Sequence, residues 1–413
     1  MGEILFLAHR IPFLPDRGDK IRSHYLLKAL ARIAPVHVGC FADTDGDLAH
    51  EPLLADISAS YRLIRRSKSM ARAGVEALVS RKPVSLSAFD HPALHAWVRE
   101  TLAANPIDTI FVFSGQMGQY VPDDFEGRVV IDLCDVDSAK FESYGNTGNF
   151  PRNWIDAREG VLLAAEEARL AALADRTLLV SPAEAALFRS RIPPSLADDV
   201  IALCNGIDAE FFDPATTQPH PDLASAAGPH FVFTGQMDYA PNIAAAQRVI
   251  ERLLPEIRKV HPGARFHVVG RAPVPRLIAL DGQGGVRVWG EVPDVRPFLA
   301  AANIVIAPLE IARGVQNKVL EAMAMARPVL LTPEAATGID AEDGLHFAVE
   351  ADDDALVARA LTLIADRPAA AMVATAARHF VVDHQSWPAM LAHLGPIIGK
   401  SGVGRTTDRR DAA

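Results

Sequence analysis

The chain has 413 residues, 41 basic and 51 acidic side chains, a formal charge of −10 and 49% hydrophobic residues. At roughly 150 residues per domain, this length predicts two large or three ordinary domains with cores of their own, which excludes fibrous, disordered and peptide-like classes. Mean hydropathy is high at +0.12, yet no apolar run approaches the ~18 residues of a membrane span, and the acid excess argues against a general nucleic-acid binder.

The N-terminal stretch MGEILFLAHRIPFLPDRGDK has no basic leader and is interrupted by His9 and Arg10, so it reads as a buried first strand, and a cytoplasmic location is expected. Short Val, Ile and Phe runs then alternate with amphipathic stretches, as parallel strands separated by crossover helices require. EILFLA, PVHVGCF, YRLI, TIFVFSG, RVVIDLCD, RTLLVS and DVIALCN are the first-half strands, with helices over 20–32 and 154–174. Gly18 follows the first strand, where a missing Cβ allows close backbone approach, and Arg17, Lys20 and Arg22 add positive charge. Gly18 is therefore a candidate donor-binding residue, though an ordinary strand-to-helix turn explains the same residues, since no GxGxxG is present. Asp19, Lys20 and Arg22 are candidates for facing an acceptor.

Residues 62–82 hold seven cations against the single acid Glu76, interleaved with Leu63, Ile64, Met70, Val75, Leu78 and Val79. This is a segment suited to an anionic membrane surface, or a strand followed by a solvated helix. The sign matches its surroundings: the first hundred residues carry 14 basic and 11 acidic groups, while the rest of the chain is acidic. Two DxD patterns follow. Asp43–Asp45 reads as a solvated turn, whereas Asp135 and Asp137 close the strand RVVIDLCD and face a ligand edge. No third ligand accompanies them, and neither a metal nor a cofactor is expected. Cys40, Cys134 and Cys204 lie far apart without CxxC spacing and read as reduced thiols. HPALH lacks metal-site partners and reads as surface helix.

FVFSGQMGQY at 111–120 and FVFTGQMDYA at 231–240 share six of ten residues. They read as two strands in non-equivalent places, each ending in a glycine turn, the second at Gly235. Residues 205–229, rich in Pro, Gly and Ala, form the best linker. The alternation then restarts with HFVFTG, RFHVVG, VRVWG, NIVIAPL, PVLLTP and HFAVEA, and with helices near 242–260, 295–302, 317–326 and 353–365. Boundaries are set at 1–205, 206–399 and a polar tail over 400–413, with the last helix expected to pack back on the first domain around Trp387.

The richest segment is IAPLEIARGVQNKVLEAMAMARPVLL. It reads as strand, loop, helix and strand, with Arg313, Gly314, Gln316, Asn317 and Lys318 beside the unpaired amides of a helix N-terminus, an anion site in outline. Glu321 falls three residues after Lys318 on nearly the same face. A diphosphate for the cations and sugar hydroxyls for the carboxylate would suit the pair; a weak surface pair is the plain alternative.

These motifs carry a resemblance. NGID followed by Phe211 and Phe212, and ARGVQNKVLEAMAMARPVLLTPEAATGI, resemble retaining family 4 glycosyltransferases of the GT-B fold. GDKIRSHYLLKAL, DVDSAKF, FTGQMDYAPN and IARGVQNKVLEAMAM are closest to the exopolysaccharide sugar transferases associated with the PEP-CTERM sorting system. The resemblance implies two Rossmann-like α/β domains facing across a cleft, the second holding a nucleotide-sugar donor and the first facing a saccharide or lipid-linked acceptor. It makes Glu321 the partner of ribose hydroxyls and sets Gly314 near the donor sugar. The sequence departs from the pattern at Arg313, where a glutamate is usual, at Gln236 and Asn242, which stand near the usual arginine and lysine, and at Cys134, where many relatives have histidine. Arg313 and Lys318 are accordingly expected on the diphosphate, with Asp135 positioning donor sugar or acceptor. The rival readings are a nucleotide-sugar epimerase or hydrolase of the same shape, and a catalytically silent binding module.

Overall fold

The computed structural model describes residues 2–147, 151–312 and 314–400. Two units emerge: residues up to Asn205 together with the segment from Met390, and Gly206–Ala389.

The first unit is built on a seven-stranded parallel sheet: β1 (Glu3–Ala8), β2 (Val36–Ala42), β3 (Ser60–Arg65), β4 (Ile107–Phe113), β5 (Arg128–Cys134), β6 (Arg176–Leu179) and β7 (Val200–Ala202), in the order β3-β2-β1-β4-β5-β6-β7. Helices cover both faces, which is why the central strands are apolar at consecutive positions: Ile4 to Ala8 and Ile110 to Phe113 are all buried. The helix Gly18–Ile33 seats Leu26, Leu27 and Leu30 against the sheet. The segment after Met390 closes this unit. Arg128 Nε donates to Ile397 O at 2.8 Å, and Lys400 Nζ pairs with Asp108 at 2.7 Å.

The second unit repeats the plan with six parallel strands: β8 (His230–Thr234), β9 (Arg265–Val269), β10 (Val286–Gly290), β11 (Ile304–Ala307), β12 (Val329–Leu331) and β13 (Ala348–Val349), ordered β10-β9-β8-β11-β12-β13. Strand order reverses between β1 and β4 in one sheet and between β8 and β11 in the other, and open α/β sheets bind ligands at the carboxyl ends of the strands beside such a switch point. The two similar decapeptides end β4 and β8. Each therefore flanks a switch point from the opposite side, in non-equivalent places.

Residues 206–229 do not form a loose linker. Arg296 lies 3.6 Å over the Phe211 ring, Arg378 Nη1 donates to Phe212 O at 2.9 Å and pairs with Asp213, and His220 stacks on Phe298. These contacts fasten the stretch to the second unit. Trp387 is buried there too, its N–H donating to Ile207 O while Ile207 N–H donates to Gln385 O. The helix predicted over 242–260 spans Ala240–Val260 but widens by one residue per turn over Val249–Leu253, and a helix over Arg367–Phe380 adds to those predicted. Among the described residues, no helix is long and apolar enough to cross a membrane.

Candidate functional site

At the switch point of the second sheet, β8 ends at Thr234 and Gly235 follows it. Gly235 has a left-handed φ of 154°, and a Cβ there would sit 2.9 Å from Asn242 Nδ2 and 3.2 Å from Lys318 Nζ. Only a residue without a side chain lets both polar groups close over the strand end. Asn242 lies in the helix Ala240–Arg248, donates through Nδ2 to Gln236 O at 2.9 Å, and accepts from Lys318 Nζ at 2.5 Å. The ammonium also stands 4.8 Å from the Phe233 ring centroid. Lys318 thus reaches from the helix Asn317–Ala324, after β11, to the turn after β8, joining the two sides of the switch point.

Glu321 follows on the same helix. Burial pushes its carboxyl up to about 7, against the pull of Lys318. Burial likewise lowers the Lys318 ammonium to about 8, with Glu321 opposing. Both groups therefore change charge near neutrality. Gln316 precedes the helix, its side chain turned back onto Gly314 O at 3.0 Å, and Gly314 adopts a φ of 64° with open space around it. Arg313 lies outside the described residues. Two further polar groups border the strand ends: Arg271 Nη2 donates to Gln236 Oε1 at 2.9 Å, and the buried Thr234 Oγ1 has no partner among the described residues. Nothing in the sequence marks Arg271, and Asn242 stands out only as a departure from the family pattern, because the chain of contacts Lys318, Asn242, Gln236, Arg271 joins residues far apart in sequence.

In the first unit the candidates separate. Lys20 is buried and pairs with Asp47 at 2.6 Å, so it braces the turn after β2. Arg22 is buried as well. Its Nε meets Asp132 at 2.8 Å, and Nη1 donates to Leu203 O and Asn205 Oδ1, which ties the first helix to β5 and to the end of the unit. Both cations neutralise buried carboxylates of their own unit. Asp19 is held by His9, Arg10 and Arg17; burial works to raise its carboxyl, but the hydrogen bonds from His9 and Arg17 and the neighbouring charges keep it well below the usual carboxylate range. Gly18 opens the helix, and a Cβ there would meet nothing within 4 Å.

Asp135 and Asp137 share one partner: Lys140 Nζ lies 3.4 Å from the first and 3.0 Å from the second. Among the described residues no group of three or more His, Cys, Asp or Glu could hold a metal ion. The turn at 43–45 is not simply solvated, since Asp43 binds Arg10 and Arg66 at 2.6 Å each and Thr44 forms a capping box with Asp47. In the basic segment, Lys68 pairs with Glu76 and donates to Ser87 O and Asp90 O, so Arg66 and Lys68 serve the fold. His91 caps its helix and His95 bonds Asp90.

Residues 228–366 match the family model described as glycosyl transferases group 1. A comparison with curated proteins found no match. Among solved structures, the chain is similar to Alr3699/HepE of Anabaena in complex with UDP and glucose, at 16% identity and a TM-score of 0.60, covering 97% of this chain and 100% of that one. Sucrose-phosphate synthase of Thermosynechococcus elongatus gives 17% identity and a TM-score of 0.57, covering 96% and 98%. WaaG, a glycosyltransferase involved in lipopolysaccharide biosynthesis, gives 17% and 0.53, covering 96% and 100%. At such identities the likeness concerns the fold, and the family match lies on the unit that carries Lys318 and Glu321. The chain therefore has the two-domain Rossmann-like α/β architecture of the GT-B fold, and residues 228–366, in the second unit, match the glycosyl transferases group 1 model, which supports glycosyl transfer as the activity.

Proposed function

We propose that the protein is a retaining family 4 enzyme that moves a sugar from a nucleotide-sugar donor to a saccharide or lipid-linked saccharide in exopolysaccharide biosynthesis, acting at the inner face of the cell membrane, alongside a PEP-CTERM sorting system. The observation that carries the donor assignment is the reach of Lys318 to Asn242 across the switch point, with Glu321 one turn further on the same helix. Lys318, with Arg313, neutralises the diphosphate in place of a cation after β8, where this chain has Asn242. Glu321 accepts from the ribose hydroxyls. Gly235, Gly314, Gln316 and Asn317 border the donor, and Asp135 and Asp137 orient the sugar or the acceptor. HepE was solved with UDP-glucose, which supports a uridine donor as the first to test.

In a retaining transfer the glycosidic bond to the diphosphate breaks as the acceptor oxygen attacks the same face, and the departing phosphate oxygen takes the acceptor's proton. The protein then needs cations and oriented amides around the developing negative charge, and no acid and base pair of its own. A thermal-shift panel of nucleotide sugars tests the reading. A donor at 100 times its dissociation constant stabilises by about 2.7 kcal/mol, and no shift with any nucleotide sugar would overturn it. Nucleotide released without acceptor would favour an epimerase or hydrolase instead.

A further inference from the structure

One helix of the first unit, and the start of a second that touches it, are packed in reverse of the usual surface helix. In Met70–Ser80 the buried residues are the small Ala73 and Ala77, whereas Met70, Val75 and Val79 are 61%, 63% and 83% exposed and Leu78 projects beside them. A helix folded for water turns its large aliphatics inward. The start of Arg152–Leu173 does the same, burying Asp156 and Glu159 while exposing Trp154, Ile155 and Val161, with Trp154 at 58%; further along, this helix turns Leu163 and Leu170 inward and buries Glu167 as well. Its acids have internal work: Glu159 accepts from the Val84 and Ser85 N–H groups at 2.8 Å, and Glu167 from Ser138 N–H at 2.9 Å. The helices touch, since Arg158 Nη2 donates to Ala77 O at 3.0 Å.

The exposed charges around this apolar face are predominantly basic. Arg72, Arg81, Lys82 and Arg152 are exposed at its edges; the acid of the shorter helix, Glu76, is engaged between Lys68 at 2.7 Å and Arg72 at 2.8 Å, and the mostly buried Asp156 lies 3.7 Å from Arg152. We propose that the face formed by Met70–Ser80 and the first turns of Arg152–Leu173 is a docking surface for an anionic lipid bilayer. Aliphatics and a tryptophan enter the boundary between head groups and acyl chains, and the rim cations meet lipid phosphates. Charge selects this occupant over a second copy of the chain, because a two-fold contact would bring cationic rim against cationic rim. The inference deepens the reading of a lipid-linked acceptor and rests on it for its purpose. It also moves the contact away from Arg66 and Lys68, which serve the fold.

The test is co-sedimentation of the full chain with vesicles of phosphatidylcholine and phosphatidylglycerol, against phosphatidylcholine alone. The wild type is expected on the mixed vesicles and not on the neutral ones. Arg72→Gln/Arg81→Gln/Lys82→Gln lowers vesicle affinity on the order of 100-fold, at about fivefold per cation. Leu78→Gln/Val79→Gln lowers it at least ~10-fold. Failure of the wild type to bind, or variants that bind equally well, overturns the proposal. So does a dimer in light scattering that Leu78→Gln/Val79→Gln abolishes, since the face would then belong to a second copy. Vesicle binding by an enzyme that glycosylates only water-soluble acceptors would retire the lipid-linked acceptor and leave the docking face standing.

Discussion

Beyond β1, β2 and β5 of the first sheet, charged side chains are used on one another: Arg22 on Asp132, Lys20 on Asp47, Arg10 and Arg17 on Asp19, and Arg66 on Asp43. Beyond β8 and β11 of the second, Lys318 has a neutral amide as its hydrogen-bond partner, and burial shifts both Lys318 and Glu321 toward neutrality. The two sheets share one strand order about the switch point, so topology does not cause the difference. Matched pairs hold the first edge together. The second edge keeps a cation and a carboxylate that a ligand can complete, which is the arrangement that pKa perturbation in a cleft signals.

The largest effect that would break this comparison is expected at Arg22. Asp132 is fully buried, so Arg22→Ala leaves an uncompensated carboxylate and destabilises by about 3–5 kcal/mol, read as the urea unfolding midpoint. A midpoint close to wild type would mean that the first edge is not structural. Next comes Lys318→Ala, which removes one charge-assisted contact to the diphosphate and weakens donor binding by about 1.5–3 kcal/mol in calorimetry, while the unfolding midpoint stays near wild type. Unchanged donor affinity removes Lys318 from the site.

A pH profile sharpens the same contrast. Glu321 accepts from a pair of hydroxyls most strongly as a carboxylate, so kcat/KM rises as pH climbs through about 7. Lys318 attracts phosphate only while charged, so kcat/KM falls as pH climbs through about 8. The expected curve is a narrow bell between those values, and Glu321→Gln erases its acid limb. A flat profile across this range would show that neither group titrates in the productive enzyme.

The strands were legible because helices cover both sheet faces, which forces consecutive apolar residues such as ILFLA and FVF and leaves little else for those runs to be. The helix at 317 was legible from its loop glycine and the Lys318 to Glu321 spacing. Partnership was not. Arg22 meets Asp132 across 110 residues and Lys318 meets Asn242 across 76, and nothing local distinguishes a cation aimed at a ligand from one aimed at a buried aspartate. Hence Lys20 and Arg22, which look like ligand cations beside Gly18, are paired inside the fold, while Asn242, visible only as a departure from the family pattern, and Arg271, which looks ordinary, border the candidate site. The exposed aliphatics of 70–79 followed the same rule: their interleaving with cations was visible, but which face they take depends on Ala73 and Ala77 packing inward.

Gly18 gives the smallest expected effect and the finest test of the contrast. A Cβ at this position would meet no protein atom within 4 Å, and the residue opens the helix Gly18–Ile33. Nothing in the fold therefore demands glycine, and Gly18→Ala should leave stability unchanged or raise it by up to about 1 kcal/mol, since alanine restricts the unfolded chain and favours helix. The empty space has a use only if a ligand occupies it. In that case the added methyl lowers transfer by less than Lys318→Ala does, in a protein that unfolds no earlier than wild type. Loss of transfer with stability retained would show that the first sheet's edge, for all its internal pairing, still receives substrate beside the start of its first helix. Transfer and stability both retained would assign that edge to structure alone and leave donor recognition to the second unit.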